Sequence, residues 1–328
     1  MRNALTWLIL ALALVALPHT LSFSQQEILV FLVINILLVV SYRLMTLTGE
    51  WSLGHVVIMG VGAYASALLT KRLGVYVPVA MIMGALTAGF VAFLLSFPLF
   101  RMKGFYFLIG SFASAEIIRL LWKRYRDPFG GPKGLKRIDP LPDIDLGFIQ
   151  IDFFEPVAYY YFALIVVALC LWVLWRIERS LIGLTFHAVH WQDKLAQAAG
   201  VDVRRYRTLA FVLASGFAGL SGGLLAHYVG TINPNSFDVE VMVFVLTWAI
   251  VGGTATFYGP ILGCIVLTIL NEVVLREMGF EQMRPLIYGA IMILSILFLP
   301  DGLESLVERA RARLRRGRAV AKSEGAKP

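Results

Sequence analysis

The feature that most constrains this chain is a succession of apolar runs separated by short polar or Gly/Pro-rich breaks. They lie at about 4–17, 28–47, 55–70, 75–100, 105–122, 156–175, 208–229, 239–251, 260–275 and 285–299. A bilayer-spanning helix needs roughly 20 predominantly apolar residues, and most of these runs approach that length. Backbone amides and carbonyls have no water to bond to in hydrocarbon, so such runs are expected to be helices. The expected fold is therefore an all-α, polytopic transmembrane bundle of about ten spans. The short, Gly-rich third run and the eighth are candidates for re-entrant or broken helices. Composition agrees: 59% of the 328 residues are hydrophobic and only 15% charged, against about 25% charged in an ordinary soluble domain. That argues against a soluble enzyme, a nucleic-acid-binding module and a disordered chain. Cys170 and Cys264 both sit inside apolar runs and read as small buried hydrophobes.

The net charge of +8 is better read as topology than as affinity for nucleic acid, because membrane proteins concentrate Lys and Arg on the cytoplasmic side. The basic tail carries Arg309, Arg311, Arg313, Arg315, Arg316, Arg318, Lys322 and Lys327. With this tail inside, ten spans place both termini inside. The inner side then holds 18 of the 29 Lys and Arg residues. The polar stretch 123–155, with six basic and six acidic residues, falls outside. The first run follows Met1-Arg2 and resembles a signal peptide, but Pro18, His19 and Thr20 follow it without a small-x-small cleavage site. It is expected to remain as a helix. Residues 1–308 read as the transmembrane domain and 309–328 as a cytoplasmic tail facing the inner leaflet of the lipid bilayer.

Three groups of residues invite a functional reading. Glycines cluster in the third, seventh, eighth and ninth runs, and tight helix packing explains most of them. Where glycines adjoin polar residues at membrane depth, they can also interrupt a helix and line a cavity. Gly49 to His55 is the best such place, and Ser52, Gly54, His55, Gly60 and Gly62 are candidate pathway residues. Ser111 and Glu116 in the fifth run are also candidates, because a carboxylate in lipid needs a partner or a wet cavity. A simple Glu116–Arg119 pair is the competing explanation. Finally, the cytoplasmic stretch 176–207 contains a short helical pattern, 191–199, stopped by Gly200. It suits either a surface helix or a small face that docks in a partner's groove. No catalytic constellation, metal-ligand spacing or cofactor motif appears. His187 and His190 lack a third ligand, and the run Gly130 to Lys136 fails the phosphate-loop spacing.

Taken in order, these segments resemble the permeases of branched-chain amino acid ABC importers, the LivM type of the LivH/LivM family. The resemblance is carried by 49–70 (GEWSLGHVVIMGVGAYASALLT), 101–119 (RMKGFYFLIGSFASAEIIR), 130–135 (GGPKGL), 183–236, 251–263 (VGGTATFYGPILG) and 286–303. No single motif is decisive; their joint order is specific. The resemblance implies an ATP-driven importer subunit in a bacterial or archaeal plasma (inner) membrane, with ATP hydrolysis on a separate chain. It further implies a LivH-like sister permease, two ATP-binding cassette subunits and an extracytoplasmic substrate-binding protein. Residues Asp193, Ala196, Ala198, Gly200 and Val201 match the ATPase-coupling segment of such permeases. The chain departs from the family pattern just before it, where His190, Trp191 and Gln192 leave Asp193 as the only acid.

Three other readings remain open at this stage. Urea or short amides travel through closely similar permeases. An ion-coupled secondary transporter would use Glu116 and Glu272 as titrating groups. A membrane-embedded enzyme would need a clustered catalytic set that the sequence does not offer.

Overall fold

The computed structural model describes residues 14–102, 104–145, 150–275, 283–299 and 302–305. Most of the first apolar run and the whole basic tail, 309–328, lie outside the described residues. Among the described residues, seven helices are long and apolar enough to cross a membrane, and two shorter apolar helices accompany them. The chain divides into two compact units, 1–242 and 243–328.

In the first unit, α1 (Phe23–Thr46), α2 (His55–Leu73), α3 (Val77–Leu99), α4 (Phe105–Arg124) and α5 (Pro156–Glu178) are joined by two short helices to α8. These are α6 (Leu181–Trp191) and α7 (Asp193–Ala198); α8 is Val203–Val229. Local chemistry sets the helix ends. Ser22 and Gln25 form a capping box at the start of α1, with Gln25 Oε1 accepting from Ser22 N at 3.1 Å. Pro156 occupies the first turn of α5, where its missing N–H costs nothing. The Asp202 carboxylate accepts from Arg205 N at 3.1 Å and caps α8.

Helix α8 is the axis of this unit and packs against α1, α2 and α3, while α1 also packs on α5. The close crossings fall at glycines. A Cβ on Gly62 of α2 would collide with the backbone of Gly219 on α8, and one on Gly222 would strike the Met59 carbonyl. Gly84 of α3 approaches Gly62 in the same way. Lipid supplies no hydrophobic drive between helices, so backbone approach and van der Waals contact hold such a bundle. The opposite face of α3 exposes Val79, Ile82, Leu86, Phe90 and Phe97, an apolar stripe suited to lipid.

The third run forms a continuous helix of 19 residues, α2, about 28 Å at 1.5 Å per residue. The eighth run, 239–251, falls within a helical stretch, Pro234–Gly252, that is also 19 residues long. Both have the length to cross. The interruption beside the third run lies before it, in the 47–54 connection.

Contacts sort the connections of this unit into two ends. At one end, Arg43 of α1 pairs with Glu178 of α5, Glu50 with Arg207, and Arg204 Nη2 donates to Phe97 O at 3.3 Å. At the other, strands β1 (Leu135–Lys136) and β4 (Thr231–Ile232) pair antiparallel, and Lys71 Nζ donates to Lys136 O at 2.6 Å. There His227 Nδ1 donates to Asp139 O at 2.6 Å while Nε2 accepts from Ser66 Oγ at 2.8 Å. A second small antiparallel pair, β2 (Ile144–Asp145) with β3 (Gln150–Ile151), lies in the 125–155 connection.

The second unit contains α9 (Val239–Gly252, which begins just before it), α10 (Gly259–Ile269), a π-helical turn (Leu270–Leu275) and α11 (Arg284–Phe298). Gly252, Gly259 and Gly263 let α9 and α10 touch backbone to backbone. Tyr288 of α11 donates to Leu267 O at 3.0 Å and stacks obliquely on Phe244 with centroids 4.5 Å apart.

Candidate functional site

The most polar buried place in the first unit is the 47–54 connection between α1 and α2. Thr48 and Glu50 are almost fully buried, as are Arg43 and Thr46 at the end of α1. Glycine explains how the chain turns here: Gly49 has φ +82° and faces the His190 ring, so it reverses the path where a side chain would be strained and crowded. The His190 Nδ1–H donates to Thr46 O at 3.2 Å, which ties α6 to the same turn. Arg43 makes a two-pronged pair with Glu178, at 2.5 and 2.8 Å. Arg207, at the start of α8, reaches two acids: its Nε lies 3.2 Å from Glu50 Oε1, and its Nη2 donates to both Asp193 carboxylate oxygens at 2.9 Å. His187 sits near these charges, and burial holds its imidazole below the usual histidine range, with Arg43 and His190 adding to the effect and Glu178 opposing it.

From this turn the chain leads straight to a small crevice. Ser52 Oγ accepts from Gly54 N at 3.0 Å, an ST turn that opens α2, and Leu53 N donates to Ser111 Oγ on α4, also at 3.0 Å. Ser52, Gly54, Ile58, Leu95, Leu99, Ser111, Ala115 and Phe211 line a crevice with room for about one water. Three sequence candidates, Ser52, Gly54 and Ser111, therefore meet at one place. The others go elsewhere. His55 is fully buried between α1 and α2, where its Nε2–H donates to Ser41 Oγ at 3.0 Å. Gly60 packs under Phe237 and Trp122, and Gly62 under Gly219. Glu116 is paired with Arg119 on its own helix, at 2.7 and 2.8 Å.

The α6–α7 segment forms the second part of the site. Gly200 has φ +88°, and Val201 N bonds back to Ala196 O at 3.0 Å, which terminates α7. The candidate coupling residues separate by face. Ala198 and Gly200 are exposed, and a Cβ on Gly200 would meet open space. Ala196 points inward and packs with Val189 and Val203, while Val201 lies at the rim of that cluster. Trp191, at the end of α6, is 80% exposed, and on α7 Leu195, 65% exposed, stands beside exposed Lys194, Gln197 and Ala198, so the free face of α7 mixes apolar and polar side chains. Among the described residues, no group of three His, Cys, Asp or Glu is arranged to hold a metal ion.

Sequence reasoning counted Arg207 only as part of a positive-side bias, and Arg43 likewise. Nothing in spacing pairs position 207 with 50 or 193, because the partners come from three separate elements.

Residues 24–296 match the family model described as branched-chain amino acid transport system / permease component. The chain belongs to this family. The permease is 28% identical over 324 residues to the "High-affinity branched-chain amino acid transport system permease protein LivM" of Escherichia coli, covering 93% of this chain and 75% of that one. It is 25% identical over 263 residues to a "Probable branched-chain amino acid transport permease protein LivH" of Methanocaldococcus jannaschii, covering 74% and 79%. A shorter stretch of 143 residues is 32% identical to the "Probable ABC transporter permease protein YphD" of Escherichia coli, covering 41% and 42%. No solved structure matches. The permease is thus a multi-pass membrane protein of a transport family rather than an enzyme.

Proposed function

We propose that this permease is a membrane subunit of an ATP-driven ABC importer that moves branched-chain or related hydrophobic amino acids inward. The observation that carries this is the family match across 24–296, which includes a largely exposed short helix stopped by Gly200. The working assembly contains a LivH-like sister permease, two ATP-binding cassette subunits and an extracytoplasmic binding protein. It lies in a bacterial or archaeal plasma membrane with both termini of this chain in the cytoplasm. The end carrying 47–54 and 178–202 then faces the cytoplasm, in keeping with the excess of Lys and Arg there.

In this reading α6–α7 meets the ATPase through the exposed Leu195, Ala198 and Gly200 with Asp193 and Val201 beside them, and Ala196 supports the helix from behind. The small exposed side chains suit entry into a cleft. Ser52, Gly54 and Ser111 border the substrate path. A cavity with room for about one water does not hold an amino acid, so passage requires α2 and α4 to separate, as alternating access demands.

Reconstitution of the full transporter in vesicles tests this: labelled leucine is taken up only with ATP and the binding protein. Uptake of urea in place of leucine would replace the cargo. Uptake by the single chain on an ion gradient would replace the mechanism. Within that assay, Gly200→Leu abolishes uptake with normal membrane insertion. Gly200→Asn, which tolerates the left-handed conformation, retains more of it. Unimpaired uptake by the leucine variant would remove α7 from the ATPase contact.

A further inference from the structure

One guanidinium joins the two parts of the site. Asp193 is the first residue of α7, Glu50 lies in the break before α2, and Arg207 contacts both. We propose that Arg207 is a positioning residue for transport: it transmits displacement of α7 to the 47–54 break and thereby to the crevice between Ser52 and Ser111. This rests on the reading of α7 as the segment that contacts the ATPase.

Three features make the link stiff. Helix α7 is only six residues long and contributes a single buried side chain, Ala196, to the apolar cluster with Val189 and Val203, so little hydrophobic area holds it. The contact of Arg207 with Asp193 is, by contrast, charge-assisted, with one nitrogen shared between both oxygens at 2.9 Å. On the other side Glu50 is 3% exposed. A carboxylate so deeply buried is penalised when a positive charge beside it withdraws, so displacement of Arg207 acts on Glu50 as well as on Asp193. Two and three residues beyond Glu50, Ser52 and Leu53 make the hydrogen bonds that shape the crevice, to Gly54 N and Ser111 Oγ. The Arg43–Glu178 pair ties α1 to α5, whereas Arg207 reaches α7 and the break together. A contiguous network becomes a transmission path only when its disruption changes coupling, and that is measurable.

The experiment uses the whole transporter in vesicles, with ATP hydrolysis and labelled leucine uptake read from the same preparation. Arg207→Lys keeps the charge and loses the fork; Asp193→Asn removes the acid on α7 and leaves Glu50 paired. Both are expected to lower uptake per ATP hydrolysed by roughly tenfold, read as a ratio on the assembled complex so that a change in hydrolysis alone does not count. The double variant should be no worse than the poorer single one, because both cut the same link. An unchanged ratio in both variants would overturn the proposal. So would hydrolysis and uptake falling in parallel, since that is what a merely structural role produces. If Arg207→Lys inserts poorly, Asp193→Asn, at the more exposed end of the link, reads the same ratio and decides alone. A wild-type transporter that takes up nothing with ATP sinks the importer reading, and this link with it, before any variant is compared.

Discussion

Two carboxylates of this permease are buried to nearly the same degree and satisfied in opposite ways. Glu50, in the first unit, lies 3.2 Å from a guanidinium nitrogen of Arg207, a side chain from helix α8. Glu304, in the second unit, is held by backbone: Ala255 N and Thr256 N each donate to it at 2.9 Å, and the Thr256 hydroxyl donates as well. Gly253, with φ +97°, and Gly302 let the 253–258 loop wrap this carboxylate closely. A loop that offers its amides to an acid cannot leave without losing its own conformation, so Glu304 acts as a staple for the loop between α9 and α10. A guanidinium can move with the element that bears it, so Glu50 and Arg207 form a tie between elements. Burial alone does not distinguish the two; the identity of the donors does.

The comparison can be broken most forcefully at Arg207. Arg207→Ala leaves Glu50 buried without this cation and should cost about 3–5 kcal/mol, read as a lower thermal unfolding midpoint in detergent. Combining it with Glu50→Gln removes the carboxylate's charge and should recover part of that loss. A double variant as unstable as the single one would mean that packing, not charge, is what Arg207 supplies. Next in size, Glu304→Ala orphans two amides at about 1–3 kcal/mol each, and should open the 253–258 loop to limited proteolysis. Because the donors to Glu304 among the described residues are backbone amides and a hydroxyl, no second side-chain substitution among them should rescue it, and a rescuing partner would erase the contrast between staple and tie. The smallest effect belongs to Glu116→Gln. Glu116 and Arg119 sit on one helix, three residues apart, and a glutamine still accepts a hydrogen bond from Arg119, so the loss should be about 1 kcal/mol. Transport strongly reduced by this variant with normal stability would return Glu116 to the substrate path.

How far the residues spoke for themselves differs from place to place. The apolar runs predicted the helices closely, and the glycines at 62, 219 and 222 foretold tight crossings without saying which helices cross. The stop at Gly200 was legible because a helix that ends on a glycine needs only local information. The crevice was half legible: Ser52, Gly54 and Ser111 stood out as polar or small residues near membrane depth, whereas His55 and Gly62 carried the same signature and serve packing. The Arg207 junction was not legible at all, since a charge near a span end reads as sidedness until its partners are known.

The sequence by itself determined that this chain is a multi-pass helical permease, where its helices start and stop, and which family it joins, because hydropathy, capping and ordered motifs are properties of contiguous residues. Tertiary structure alone decided that positions 50, 193 and 207 meet, that Ala196 faces inward while Ala198 faces out, and that Glu50 and Glu304 are held differently. Those facts depend on which faces of distant helices are brought together. Small residues that permit close approach do not specify a partner, and a charged side chain reveals its role only once the group that balances it is in place.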